Sequence, residues 1–225
     1  MTAAARPAAL ALLLALAALH GGRAAWIEAK AHLAQHLLRR AWLRSRGGAG
    51  EIRPWPWADT HPVARLRVPS LGVDLLVLAG ASGRTMAFGP GHLSGTPVPG
   101  ERGNSVLSAH RDTHFAFLRR LRPGAELVVE GRDGTARRFL VTAARVVDRR
   151  DVSVIADTGD TRLTLVTCYP FAALHPRGSL RYVVTARLFS GAPEGDSPRS
   201  PEILMQQMHQ TVHMPHAPPR RSRVS

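Results

Sequence analysis

The sequence predicts an all-β fold, a mostly antiparallel barrel or sandwich, preceded by a helical N-terminal segment. Short runs rich in strand-forming residues recur through the middle of the 225-residue chain, and turn-forming residues separate them. Asp133-Gly134 is the clearest hairpin signal, because this dipeptide tolerates the positive φ angles of a tight turn. The runs predicted as strands are Val63–Val68, Val73–Leu78, Ser105–Ala109, Glu126–Glu130, Arg137–Val147, Arg162–Thr167 and Leu180–Leu188.

Inside this β-rich region the sequence predicts one helix, over Thr113–Leu121. Phe117, Leu118 and Leu121 are spaced to form its buried stripe. A chain of this length accommodates one well-buried domain, and it is too short for two ordinary ones once its ends are set aside.

The N-terminal segment is apolar and then amphipathic. The unbroken apolar run Ala8–Leu19 suits the core of a signal peptide and falls short of the ~20 residues that span a bilayer. It continues into a helical pattern that predicts an amphipathic helix on a membrane surface. Its apolar positions are Trp26, Leu33, Leu37, Leu38 and Trp42. A cleaved secretory signal and an uncleaved signal anchor both fit this pattern.

Composition divides the chain into four parts. Residues 1–25 are predicted as the signal anchor or signal peptide, and residues 26–61 as the amphipathic juxtamembrane helix and a linker. Residues 62–190 form the predicted catalytic domain. Residues 191–225 are rich in proline and polar residues without apolar periodicity, which predicts a disordered tail.

Charge and cysteine content exclude several classes of function. The net charge of +14 comes almost wholly from arginine spread along the chain, with Lys30 as the single lysine. Because no basic helix with interleaved aromatic residues occurs in the folded region, nucleic acid is not expected as a partner. One cysteine cannot form an intrachain disulfide or a multi-cysteine metal site, and no metal or cofactor site is predicted.

That single cysteine, Cys168, stands at the end of a predicted strand. A lone cysteine in a β protein is most often a small buried hydrophobe, so residues able to activate it are decisive. His110 ends one strand-like run, and Arg181 lies at the start of another. An imidazole can take the thiol proton and return it to a leaving amine, and a guanidinium can hold a carbonyl oxygen that becomes negative. The three side chains can converge if their strands are neighbours in one sheet.

The motifs around these residues resemble those of the sortase family of cysteine transpeptidases. Thr164–Cys168 fits the family's TLxTC signature, Ser108–His110 precedes Arg111-Asp112-Thr113-His114-Phe115, and Arg181 lies in the strand after the cysteine. The resemblance extends over residues 62–189 and is greatest to the Gram-negative-type subgroup. Ala109 stands where many sortases have glycine, a difference that removes no catalytic group.

The resemblance implies a fold and an activity. Sortases are eight-stranded β-barrels, and Met86–Phe88 is the candidate for a strand beyond the seven found above. In the implied reaction Cys168 cleaves an LPxTG-like sorting signal through a thioacyl intermediate, with His110 as acid and Arg181 on the carbonyl oxygen. The partners are then a protein with a C-terminal sorting signal and an amine acceptor.

Location follows from the same resemblance. Sortases are typically tethered to the membrane, which favours a single-pass inner-membrane anchor with a periplasmic catalytic domain. The basic residues after the apolar run favour the opposite orientation. They are Arg23, Lys30, Arg39 and Arg40. We follow the family expectation.

Three further residues are candidates for substrate binding. Thr167 is expected to shape the strand end. Arg111 and Asp112 are expected to orient the site or to cap the Thr113 helix, and for Asp112 capping is the preferred interpretation. His92 and His114 are spare imidazoles near the motif. A secreted cysteine peptidase, a non-enzymatic β-barrel binding module and a basic nucleic-acid binder are the alternative functions.

Overall fold

Eight strands close into a barrel in the part of the chain that the structure describes. A computed structural model describes residues 5–47, 50–173 and 178–190. The order around the barrel is β1-β2-β3-β4-β7-β8-β6-β5, which confirms the predicted eight-stranded barrel. The strands are β1 (Pro62–Val68), β2 (Val73–Ala79), β3 (Gly91–His92), β4 (Gly103–Ser108), β5 (Glu126–Gly131), β6 (Ala136–Asp148), β7 (Thr161–Tyr169) and β8 (Leu180–Leu188). The predicted disordered tail, residues 191–225, lies outside the described residues.

The helices of the barrel region are short and differ from the prediction. The chain forms helix α2 over Gly83–Met86, so the strand predicted over Met86–Phe88 is wrong. Ser82 starts α2, because its side chain accepts a hydrogen bond from the Thr85 backbone N–H at 3.1 Å. The additional strand is instead β3, which pairs parallel to β2 and antiparallel to β4.

The helix predicted over Thr113–Leu121 is shorter than expected. The structure has a 3₁₀ helix over Ala116–Arg120, preceded by turns. Its predicted stripe is buried all the same, since Phe117, Leu118 and Leu121 are between 0% and 7% exposed. The apolar spacing therefore identified the buried residues correctly. The helix is shorter than predicted because residues 111–115 form turns.

The predicted hairpin at Asp133-Gly134 joins β5 to β6. Gly134 has a φ of +77°, a left-handed conformation that glycine adopts without a Cβ penalty. Its N–H donates to the Gly131 carbonyl at 3.0 Å. This turn sets the antiparallel register in which Leu127 faces Phe139, and both side chains are fully buried in the barrel core.

Helix α1 is the long N-terminal helix, Ala5–Ser45, and the C-terminal part of it packs on the barrel. Leu38 and Trp42 are 0% and 3% exposed, whereas Leu33 is 57% exposed. The Gln35 side chain donates to the Phe88 carbonyl at 2.8 Å. The apolar residues of the predicted amphipathic helix therefore lie in two different surroundings. Leu38 and Trp42 are buried against the barrel, whereas Leu33 is exposed.

Two contacts fix the end of α1 to the β5–β6 hairpin. Arg46 lies 2.9 Å from the Glu130 carboxylate, and the Gly47 N–H donates to the Arg132 carbonyl at 3.1 Å. No helix among the described residues is both long enough and apolar enough to cross a membrane.

The packing of α1 generates a stability prediction with a matched control on the same helix. Leu38→Ala is expected to lower the free energy of unfolding by about 2–4 kcal/mol, because it leaves a cavity between α1 and the barrel. Leu33→Ala removes the same atoms from an exposed site and is expected to change that free energy by less than about 0.5 kcal/mol. Urea denaturation followed by circular dichroism measures both values. Equal effects of the two substitutions would show that α1 does not dock on the barrel.

Candidate active site

Parallel pairing of β4 with β7 brings two distant segments together at one end of the barrel. Ser108 is paired with Val166 at the end of this ladder. The Ala109 N–H then donates to the Val166 carbonyl at 3.3 Å, so the pairing continues past the end of β4. One residue further, His110 leaves the ladder alongside the end of β7, where Cys168 lies.

Cys168 and Arg181 occupy directly opposite positions in the antiparallel pair β7–β8. Opposite residues in such a pair project from the same face of the sheet. Leu165 and Thr167, which alternate with Cys168 along β7, are 0% and 1% exposed, whereas Cys168 is partly exposed. The thiol and the guanidinium therefore share the outer face of the barrel wall.

The His110 side chain is exposed, and His114 lies close behind it. Burial lowers the pKa of His114 from its usual value of 6.5, and the nearby charge of His110 lowers it further, against a hydrogen bond with the Met86 backbone that raises it. His114 therefore favours its neutral form. Of these two imidazoles, His110 is the one open to solvent.

Arg111 and Asp112 have separate surroundings. Arg111 is only 6% exposed, and its guanidinium donates to the Ala173 carbonyl at 2.9 Å and to the Asp112 carboxylate at 3.2 Å. Arg111 thereby connects the turn after His110 to the segment after Cys168. The Asp112 side chain is 70% exposed and pairs with Arg111.

Thr167 faces the inside of the barrel wall. Its hydroxyl donates to the Ala109 carbonyl at 2.7 Å and is buried. This bond joins the residue before Cys168 to the residue before His110. The Thr167 side chain therefore holds the two strand ends together.

The guanidinium of Arg181 is held by backbone carbonyls beside the thiol. Its Nη1 donates to the carbonyls of Gly178 and Leu180, both at 2.9 Å. The same side chain lines a groove of about 330 Å³ on the outer face. Seven of the twelve residues that line this groove are apolar, and the other five are Ser108, Asp148, Arg149, Asp151 and Arg181. The apolar residues are Ala81, Leu93, Val106, Val147, Val154, Ile155 and Val166.

Asn104 supports the groove and was not identified from the sequence. It is 3% exposed, and its amide donates to the carbonyls of Val154 and Ala156 at 2.9 Å and 3.1 Å. The Thr164 hydroxyl donates to the Asn104 side-chain oxygen at 2.7 Å. A single asparagine in a Gly-Asn-Ser run reads as a turn residue, so no local signal indicates this role.

His92, one of the spare imidazoles, has structural partners. It is 8% exposed, and its Nε2 lies 2.9 Å from the Pro97 carbonyl and 3.1 Å from the Thr96 hydroxyl. These contacts fix the loop between β3 and β4. His92 therefore has a structural role in this loop, whereas His110 is exposed.

Comparison with known proteins assigns this barrel to a family. A family model described as the sortase domain matches residues 66–189, more than half of the chain. The chain belongs to the sortase family. It is 32% identical over 108 residues to Sortase D of Bacillus subtilis (strain 168), covering 48% of this chain and 54% of that protein. It is 31% identical over 110 residues to Sortase A of Listeria monocytogenes, covering 47% and 49%.

Solved structures agree with this assignment. Sortase C-1 from Actinomyces oris aligns with a TM-score of 0.52 and 31% identity over 58% of this chain and 76% of that one. A Clostridium perfringens Sortase D5 transpeptidase aligns with a TM-score of 0.58 over 70% of this chain and 99% of that one. Its identity of 19% supports the fold alone. The chain spans about half the length of the two relatives from Bacillus and Listeria.

The lowered pKa of His114 predicts a pH dependence of stability. Because the unfolded chain binds a proton at this residue more readily than the folded chain, stability decreases as the pH falls from about 6.5 through the lowered folded pKa. His114→Gln removes this contribution. The free energy of unfolding of the wild type, relative to the variant, is therefore expected to decrease over that pH range in urea titrations. A difference that is constant with pH would contradict the neutral state of the half-buried His114.

Proposed function

We propose that this chain is a cysteine transpeptidase that cleaves an LPxTG-like sorting signal and transfers the signal's acyl part to an amine. The observation that carries the proposal is the pairing of Cys168 with Arg181 on one outer face, beside the exposed His110. Membership of the sortase family supports the reaction class.

In the first proposed step, the Cys168 thiol gives its proton to His110, and its sulfur attacks the carbonyl carbon of the scissile peptide bond. The oxygen becomes negative in the tetrahedral state, and Arg181 stabilises it by donating hydrogen bonds. The carbon–nitrogen bond then breaks, and the departing amine takes a proton from His110. The product is a thioester between Cys168 and the acyl part of the signal.

In the second proposed step, an acceptor amine attacks the thioester carbonyl. His110 receives the proton that the amine loses, the carbon–sulfur bond breaks, and His110 passes the proton to the Cys168 sulfur, which restores the thiol. Water in place of the amine gives a free acid, which is the reaction of a cysteine peptidase.

The groove next to Arg181 is the proposed site for the sorting signal. Its apolar lining suits the aliphatic residues of such a signal, and Ser108 and Arg181 provide polar groups at the thiol end. Thr167 and Arg111 support the site by joining the two strand ends, as their buried hydrogen bonds indicate. We keep Asp112 as the partner that orients Arg111.

The proposed partners are a protein with a C-terminal sorting signal and an amine acceptor. We also propose that the barrel, residues 62–190, is the catalytic domain, that it acts on the periplasmic side, and that the N-terminal segment associates with the membrane. Exposed leucines on the N-terminal part of α1, such as Leu13 and Leu14, both 63% exposed, favour that association. The Gram-negative-type subgroup stays a prediction from the motifs around His110 and Cys168.

The reaction itself is tested with an LPxTG-like peptide, with and without triglycine as the amine. We expect mass spectrometry to detect the peptide–triglycine product and a covalent thioacyl enzyme. Cys168→Ala is expected to abolish both, and His110→Ala to lower the rate by about 10²–10⁴-fold.

The outcomes separate the alternative functions. A free acid as the main product at saturating triglycine indicates a peptidase. Unchanged product formation in Cys168→Ala would contradict the proposed nucleophile. No product from the wild type, together with a Cys168 thiol that resists iodoacetamide in the folded protein, would favour a binding module.

The role of Arg181 is tested by Arg181→Gln. Loss of one donor to the negative oxygen is expected to lower kcat by about 10²–10³-fold with a smaller change in KM. Arg84→Gln is the matched control, because Arg84 lies on α2 with its side chain 80% exposed and pairs with Asp59. Equal kcat values for the two variants would remove Arg181 from the proposed mechanism.

A further inference from the structure

A second depression lies on the outer face of the barrel wall, away from the thiol. It has a volume of about 310 Å³ and is lined by residues of β6, β7 and β8, which are Thr142, Ala143, Arg145, Arg162, Thr185 and Arg187. Arg162 and Cys168 stand near opposite ends of β7. Cys168 is six positions after Arg162 in an extended strand, which corresponds to a distance of about 20 Å. The depression is therefore distinct from the groove proposed for the sorting signal.

Two of its arginines form a cross-strand pair of like charge. Arg162 of β7 lies directly opposite Arg187 of β8. Like charges in this position destabilise a sheet. Asp160 offsets part of the repulsion, since its Oδ2 lies 3.3 Å from Arg162 Nη2 and 2.9 Å from Arg187 Nε. One carboxylate oxygen is thus shared between two guanidinium groups.

The third arginine, Arg145, enters the same depression from β6. Its Nη2 lies 3.5 Å from the Ser153 hydroxyl, a neutral partner. The Nε of Arg162 is buried and has no hydrogen-bond partner among the residues that the structure describes. Three guanidinium groups therefore converge here against two carboxylates, since Asp160 lies between Arg162 and Arg187 and the charge of Arg145 acts on Asp151. The arginines still outnumber the carboxylates.

The backbone of β6 is irregular at this place. The pairing of β6 with β8 shifts between Val141 and Ala143, so Thr142 stands in a bulge. The Thr142 hydroxyl donates to the Thr185 carbonyl at 3.1 Å. Bulges re-aim side chains at functional places in sheets, and this one adds the Thr142 side chain to the rim of the depression.

We propose that this depression binds a phosphate-bearing anion. A guanidinium donates paired hydrogen bonds in a geometry that matches phosphate oxygens, and several can share one phosphate group. A carboxylate has two oxygens and suits one guanidinium, whereas the terminal group of a phosphate monoester or pyrophosphate has three oxygens and can accept from several guanidinium groups at once. Binding relieves the repulsion between Arg162 and Arg187, so the sheet gains stability when the anion is present.

The test measures pyrophosphate binding to the full chain by isothermal titration calorimetry at low ionic strength. Saturable binding is expected, and Arg145→Gln and Arg187→Gln are each expected to weaken it by about tenfold or more through loss of charged hydrogen bonds. Arg84→Gln, an exposed arginine paired with Asp59, is the control and is expected to bind as the wild type does. Equal affinities in all four proteins, or no saturation, would overturn the proposal.

A second measurement guards against misfolding of the variants. Without ligand, the Arg187→Gln variant is expected to unfold at or above the wild-type temperature, because it removes one of the two positive charges that face each other across β7 and β8. Pyrophosphate is expected to raise the wild-type unfolding temperature and to leave that of Arg187→Gln nearly unchanged. Equal increases in both proteins would also count against the site.

The source of the phosphate is distinguished by vesicles. Co-sedimentation with vesicles that contain phosphatidic acid, a phosphate monoester lipid, identifies a lipid headgroup if it is lost in Arg145→Gln and Arg187→Gln. Vesicle binding that these substitutions leave unchanged is assigned to α1. If pyrophosphate binding depends on the arginines while vesicle binding does not, the natural ligand is a soluble or polymeric phosphate. Vesicle binding without arginine dependence, together with no pyrophosphate binding, contradicts the proposed site.

Discussion

The proposed site depends above all on the parallel pairing of β4 with β7. This pairing joins Thr167 to Ala109, residues 58 positions apart, through a buried hydrogen bond, and it continues in the bond from Ala109 to Val166. Side chains alternate along a strand, so a slip of one residue in β7 would turn Cys168 into the core and Thr167 outward. The buried leucines of β7 prevent that slip, because it would expose them. The same packing that stabilises the barrel therefore directs the thiol outward.

One outer face carries both of the sites described. Cys168 and Arg181 stand at one end of the β7–β8 pair, and Arg162 and Arg187 stand at the other. The connection between β6 and β7 contributes to both places, since Val154 lines the groove near the thiol and Ser153 contacts an arginine of the other depression. Asn104 fixes this connection with a buried and satisfied amide, which keeps the lining of the groove in a defined position.

Helix α1 shows why an amphipathic pattern does not identify its own partner. Leu33 and Leu38 have the same side chain on one helix, yet the first is exposed and the second is buried against the barrel. A membrane surface and a protein surface both favour apolar residues at helical spacing. Contacts such as the one between Gln35 and the Phe88 carbonyl exist only after the chain has folded. The apolar spacing predicted the helix, and contacts with the barrel determine which part of the helix is buried.

The sequence by itself determined the β-rich class, the hairpin at Asp133-Gly134, the buried stripe around Leu118 and the identity of the candidate nucleophile, because these depend on residue type and short-range spacing. Strand β3 and the role of Asn104 escaped prediction, because a two-residue strand carries no periodicity and a buried amide depends on partners about 50 residues away. Only the tertiary structure decided which strands are neighbours. Since side chains meet through that long-range pairing, it alone brought Arg181 opposite Cys168 and Arg162 opposite Arg187.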